Sequence, residues 1–430
     1  MCANENQLDT ILSLLRESGA DAWEVTDTLT HGWEFYLIRG RLDQNRVRDT
    51  EHIRVKLYQK SADGETLGSA EGEIPPTASM EEARALIGRY LSQASYVHNP
   101  VYTLHAPKDA EAQDPEEMDA DTIAANFLRA LQSVEETAET DINSAEIFVD
   151  IRERRYCNSR GVSVVSRYPS SMVEAVINAR KDGHEIELYR MFTCGTCDAD
   201  ALKRDIEEAF RFGRDRLETA PTPKLQSCDL LLSTDAAAQV YGYFIGRMSA
   251  NMIYQGLSDW KIGADVMPGA IADRVTVQAV KRLANSSCNM AYDQEGAPVR
   301  DMTILRDGVA ENVWGSRQFT QYLKMEDGFI PQNFAVSGGA SDDLYGGTCL
   351  EVVEFSDFQV DPMTGDMAGE IRLGYLWQNG KKTVVSGGSV SGNMQTLCKN
   401  MRMSKKQRQY DTLLIPALTR LAGVQVTGVE

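Results

Sequence analysis

The chain has 430 residues, more than one hydrophobic core usually organises, so its length favours two domains or one large elaborated domain. With 42% apolar and 25% charged residues it has ordinary globular composition, which excludes wholesale disorder, collagen and coiled coil. A formal net charge of -19 repels phosphate backbones and anionic lipid, so nucleic acid and membrane surfaces are disfavoured as partners.

In chain order, Leu8, Ile11, Leu12 and Leu15 fall at helical spacing, closed by Gly19. Trp33 to Ile38 and Ile53 to Tyr58 read as strands, and Asp63-Gly64 marks a turn before a third, Glu65 to Ile74. Pro75-Pro76 ends this meander, and Ser79 with Glu82 forms a capping box that launches a helix through Ala83, Leu86, Ile87 and Tyr90. Pro107 to Asp121 holds seven acidic residues and two prolines, the composition of a mobile linker or exposed loop. A helix follows with Ile123, Phe127, Leu131 and Val134. Strands are predicted at Glu146 to Asp150, Val162 to Tyr168, Met172 to Ala179 and Glu185 to Phe192, with turns at Asn158 to Gly161 and Asp182-Gly183. After a helix over Ala201 to Leu217, the prolines of Ala220 to Pro223 mark the boundary. The reading is α+β with two domains: an N-terminal α/β domain at 1–220 and a β-rich C-terminal domain at 224–430.

The second region opens with a short strand, Asp229 to Leu232, and one strong helix, Asp235 to Tyr254. That helix carries a core stripe of Val240, Tyr241, Phe244, Ile245, Met248 and Met252. Ala238, Gly242, Gly246 and Ala250 form a small-residue face fitted to a close neighbour. The remainder reads as short strands separated by Asp-Gly and Asn-Gly turns.

Chemistry-bearing motifs are sparse. All five histidines precede residue 185, so no histidine-based triad or zinc site can be built wholly from the second region. Cys194 and Cys197 have CxxC spacing without a second pair, and read as a turn with two incidental thiols. The eight cysteines are expected to be reduced, since the first residues carry no export signal and no eighteen-residue apolar run occurs; a cytoplasmic location is expected. Lys399 to Arg408 holds five basic residues without interleaved aromatics, and reads as a solvated, charge-balancing loop. Neither GxGxxG nor GxxxxGK[ST] occurs, and Gly387 to Gly392 misses the GxSxG elbow by one position. Asp293-Gln294-Glu295-Gly296 reads first as a turn with exposed acids, acid-base chemistry remaining open.

Five segments in order resemble the TldD/PmbA family, called modulators of DNA gyrase and classed among metallopeptidases. Asn158 to Val162 is similar to its NS.G turn, Ala291 to Gly296 to its F-D-x-E-G run, and Asp361 to Met367 to its D-x-x-T-G-D signature. Gly380 to Asn393 and Leu413 to Gly423 resemble its closing strands. The resemblance implies an N-terminal α/β domain and a barrel-like C-terminal domain. TldD-like members carry HExxxH at the start of the helix matching Asp235 to Tyr254, and a later cysteine ligand in CGKxGQ. Those slots fall here on Thr234, Asp235 and Gln239, and Cys398 lacks the flanking glycine. The chain therefore resembles the PmbA (TldE) branch, with vestigial metal positions at Thr234, Asp235 and Gln239, no zinc, and no other cofactor.

The resemblance implies one half of a peptidase in which a zinc-bearing TldD-like partner cuts extended or unfolded peptides, this half shaping the chamber. Tyr243, Asp293, Glu295 and Gly296 are the candidate cavity or peptide contacts. The alternatives are a homodimeric peptide-binding or assembly module without proteolysis, and a metal-independent hydrolase using Asp235, Asp293 and Glu295.

Overall fold

A computed structural model describes residues 5–110, 119–325 and 327–429. Helix α1 (Glu5–Glu17) buries Leu8, Ile11, Leu14 and Leu15. The meander follows as β1 (Ala22–Ile38), β2 (Arg41–Lys60) and β3 (Thr66–Ile74), its first two strands far longer than the apolar runs that announced them. Helix α2 (Met80–Ala94) has the expected capping box: Ser79 N–H donates to Glu82 Oε2 at 2.8 Å, and Glu82 N–H to Ser79 Oγ at 3.2 Å. A short β4 (Asn99–Pro100) precedes α3 (Ala120–Gln132), β5 (Thr140–Asn158), β6 (Ser163–Lys181), β7 (His184–Cys194) and α4 (Ala199–Arg216).

The seven strands form one antiparallel sheet in the order β4-β3-β2-β1-β5-β6-β7, so β7 is an edge. Helices α1 and α2 pack over the β1–β3 half, and α3 and α4 over the β5–β7 half. The two strands expected at Val162 to Tyr168 and Met172 to Ala179 are one, β6. Its Pro169 stands opposite Ile151 of β5 but beyond the end of β7, the edge setting in which a strand tolerates proline. Of the expected linker, residues 111–118 lie outside the described residues. Its described beginning is tied down, with Lys108 paired to Asp327 at 2.6 Å and the Ala110 N–H donating to Tyr292 Oη at 3.1 Å.

The second region runs β8 (Ala220–Pro221), β9 (Leu225–Leu232), α5 (Ala237–Arg247), α6 (Ala250–Tyr254), β10 (Val277–Val280), β11 (Met302–Arg306), β12 (Val309–Ala310), α7 (Arg317–Tyr322) and β13 (Asn333–Val336). It continues with β14 (Cys349–Val360), β15 (Asp366–Gln378), β16 (Lys381–Ser386), β17 (Ser389–Asn393), α8 (Met394–Leu397), β18 (Arg402–Met403), β19 (Gln407–Tyr410), β20 (Leu413–Pro416) and β21 (Thr419–Thr427). Strands β14, β9, β21, β17 and β15 pair in a ring, because β15 returns to β14, and so close a five-stranded barrel. A second sheet has the order β12-β11-β10-β13-β20-β19. The apolar stripe of α5 joins the core shared by these strands, while Val353, Leu373 and Tyr375 reach the core beneath α3 and α4.

The helix expected over Asp235 to Tyr254 is broken. The segment at Trp314 enters the break: its N–H donates to Met248 O at 3.2 Å, its Nε1 to Ile245 O at 2.9 Å, and its carbonyl accepts the Ala250 N–H at 2.7 Å. Ser249 then caps α6. The small-residue face meets a close neighbour only in part. A side chain added at Gly242 would meet nothing within 4 Å, whereas Ala250 lies against the backbone at Trp314 and Gly315.

Candidate functional site

Strand β9 stops at Leu232 whereas its parallel neighbour β14 runs on to Val360, so beyond Val352 that margin of β14 has no strand partner. The space this opens is a cavity of about 500 Å3. Its walls are the unpaired margin of β14 at Val353 to Phe358, the free edge of β7 at Tyr189 to Phe192, α4 at Asp205 and Glu208, and β19 at Arg408 and Tyr410. Thr234, Asp235 and Gln239 line it together, at and just before the first turn of α5. An adjoining cavity of about 730 Å3 shares Met191, Phe192, Asp205, Asp235, Arg408 and Tyr410, and extends to Cys194 and Cys197.

Arg408 organises the floor. Its Nη1 donates to Glu208 Oε2 at 3.0 Å and its Nη2 to Asp205 Oδ1 at 2.7 Å, while its guanidinium lies 5.2 Å from the Tyr410 ring centre. Burial holds the Asp205 carboxyl above its ordinary value despite Arg408. Burial alone would lower the guanidinium's pKa, but Tyr410, Asp205 and Glu208 outweigh it and raise it. The basic run is thus not a solvated loop throughout, since its last member is half-buried between two carboxylates. On the opposite wall Arg190 pairs with Glu354, and Phe355 stacks on Phe358 at 4.5 Å.

At the start of α5 the backbone satisfies itself. Ala237 N–H donates to Thr234 O at 3.1 Å and Ala238 N–H to Asp235 O at 2.8 Å, so Asp235 does not cap the helix and stays exposed. Thr234, Asp235 and Gln239 supply one hydroxyl, one carboxylate and one amide, which do not fit the nitrogen- and sulfur-rich tetrahedral set of zinc. Cys398 is buried in the C-terminal core and lines neither cavity. Among the described residues no group of three or more His, Cys, Asp or Glu is placed to hold a metal ion.

Tyr243, Asp293, Glu295 and Gly296 line neither cavity. Tyr243 is buried against Phe244 and Trp260, and Arg247 lies 5.5 Å from its ring centre. Asp293 and Glu295 are not the exposed acids of a surface turn. Asp293 is fully buried, its Oδ1 accepting the N–H groups of Glu295 and Ala297 at 2.9 Å and its Oδ2 that of Ile330 at 2.7 Å. Burial raises its pKa against those donors. Half-buried Glu295 accepts the Arg317 N–H at 2.7 Å, has His105 Nε2 at 3.8 Å, and is pushed by burial up to about 7. Gly296 has φ +76, and a Cβ there would lie 2.7 Å from Tyr156 and Val162. This turn is a joint: Arg154 of β5 donates to Asp293 O at 3.0 Å. Asp235 is therefore not brought into one catalytic group with Asp293 and Glu295.

The quoted motifs at Asn158 and Asp361 are also turns, whereas those at Gly380 to Asn393 and Leu413 to Gly423 are mainly strand. Asn158 Oδ1 accepts the Arg160 and Val162 N–H groups at 2.9 and 3.2 Å. Asp361 Oδ1 accepts the Met363 N–H at 2.7 Å, and Arg247 donates to Met363 O at 2.7 Å. The cavity walls at Asp205, Glu208 and β14 escaped sequence reading because they meet only through tertiary packing. The alternation of exposed Tyr189 and Met191 along β7 was the available signal.

Residues 225–428 match the PmbA/TldA metallopeptidase C-terminal domain. No curated protein sequence matches the chain. The fold is that of TldE from Thermococcus kodakarensis, with TM-score 0.78 and 14% identity, covering 99% of this chain and 100% of that one. A protein described as a candidate modulator of DNA gyrase from Bacteroides thetaiotaomicron is similar at TM-score 0.79 and 15% identity, with 100% of both chains covered. Another so described, from Thermotoga maritima, is similar at TM-score 0.76 and 15% identity, covering 98% of this chain and 100% of that one. Through this match the C-terminal domain, residues 225–428, belongs to the TldD/PmbA family.

Proposed function

We propose that this chain is a zinc-free subunit of a TldD/PmbA-type peptidase, working in the cytosol. It shapes the chamber that receives extended or unfolded peptides, while a zinc-bearing partner cuts them. One observation carries the reading: Thr234, Asp235 and Gln239, the positions matching the family's metal motif, line a cavity bounded by the unpaired margins of β7 and β14. Strand margins bind extended peptide through main-chain hydrogen bonds, which need little side-chain identity. The donor set at the three positions supports the absence of zinc.

The test combines the purified chain with an HExxxH-bearing relative from the same host. Peptidase activity on unfolded peptide is expected only in the mixture, with no stoichiometric zinc in this chain. One tightly bound zinc in the lone chain, and lone-chain activity lost on chelation, overturns the proposal. Peptide binding with no such relative recovered by pull-down, and no activity on mixing, favours the homodimeric binding module instead.

A further inference from the structure

The charged groups around the cavity are unequally satisfied. Both guanidiniums on its walls are engaged, Arg408 by Asp205 and Glu208 and Arg190 by Glu354. One carboxylate is not: that of Asp235 has no hydrogen bond or ion pair among the described residues. Glu354, whose side chain is 8% exposed, has its charge met by Arg190 and Arg216, but its Oε2 has no hydrogen-bond donor, Arg216 Nη1 standing at 3.7 Å. Tyr410 Oη is buried without a hydrogen-bond partner. An occupant that meets Asp235 must bring hydrogen-bond donors and positive charge. Phe355 and Phe358 form an apolar side against which a long aliphatic stem can lie.

We propose that this cavity selects a lysine or arginine side chain of an extended peptide. The stem lies along Phe355 and Phe358, and the cationic head is received by the exposed carboxylate of Asp235. The inference rests on the peptide-chamber reading and names the side-chain class that the chamber prefers. Asp235 suits the role because it sits beside a helix start that it does not cap, so its carboxylate is free for a ligand at no cost to the helix.

The test measures binding of the full chain to short, unstructured fluorescent peptides that differ at one central position, lysine or norleucine, by fluorescence anisotropy at low and high salt. Lysine is expected to bind about threefold to tenfold more tightly at low salt, the difference shrinking as salt screens it. Asp235→Asn should erase the preference while keeping the norleucine affinity, and Asp235→Lys should turn it towards a glutamate-containing peptide. Because Asp235 is exposed and uncapped, an unchanged melting temperature for both variants confirms that they fold. Equal affinity for lysine and norleucine overturns the inference and leaves the chamber reading standing. A lysine preference that survives in Asp235→Asn places the selection elsewhere on this acidic surface and also overturns it. Failure of every peptide to bind overturns the chamber reading as well.

Discussion

Arg408 Nη2 donates to Asp205 Oδ1 at 2.7 Å, joining the edge strand β19 of the second sheet to helix α4 of the first region. Replacing Arg408 by alanine removes the counter-charge that Asp205 and Glu208 share, leaving Glu208 only its pair with Arg211 at 3.1 Å. The side chains of Arg408, Asp205 and Glu208 are about a third exposed, so the expected loss is about 1–2 kcal/mol, below that of a fully buried pair. Urea denaturation checks it. Adding Asp205→Asn and Glu208→Gln to Arg408→Ala should recover most of the loss.

The joint at Glu295 makes stability depend on pH in a readable way. Glu295 titrates near 7 in the folded chain because it is buried, above its ordinary carboxylate value, so the fold takes up a proton that the unfolded chain releases. Its contribution is complete below about 4.5 and is lost as pH rises towards 7. His105 behaves oppositely: burial lowers it to about 4, so its contribution is complete above about 6.5 and lost as pH falls towards 4. The two slopes offset each other over the shared window. Glu295→Gln keeps an acceptor for the Arg317 N–H and removes one slope. The variant should gain on the parent by on the order of 2 kcal/mol between pH 4.5 and 7, and hold that gain above. Denaturation midpoints across this range measure it, and a constant difference refutes the assignment.

Two glycines should respond in opposite directions to alanine. At Gly296 the backbone is left-handed and the new methyl would press on Tyr156 and Val162, so a loss of about 2–4 kcal/mol is expected. At Gly242, in the interior of α5 with open space beside it, alanine should stabilise by about 0.5–1 kcal/mol through helix propensity. Thermal or chemical denaturation of both variants checks the pair.

Trp314→Phe should cost at least about 1 kcal/mol, because the five-membered ring is removed and with it the bond from Nε1 to Ile245 O in the last turn of α5. If the break between α5 and α6 depends on this contact, amide exchange at Met248 to Ala250 should quicken more than elsewhere in α5.

Local signals in the chain proved readable wherever neighbours in sequence are neighbours in space. The capping box at Ser79, the turns at Gly64, Gly161 and Gly183, and the core stripe of α5 were visible because each is closed by residues a few positions apart. The α+β class and the barrel-like second half were legible too, the latter from the family resemblance. The break in α5 was not, since its cause is Trp314, far away in sequence. Asp293 and Glu295 were misjudged as exposed because an Asp-Gly-rich turn looks the same whether it meets water or Arg154. Thr234, Asp235 and Gln239 were identified by alignment to a motif, but Arg408, Glu354 and the β7 edge around them are assembled only by folding.

The ring of the barrel joins β9 to β14 and β21, setting Asp229 beside Cys349 and Leu232 beside Thr419. A ribosome releases β9 long before either neighbour exists, whereas β5, β6 and β7 can pair in the order they emerge. The leucines at 230 to 232 must wait unsheltered through that interval. The barrel therefore closes only once β21 has emerged.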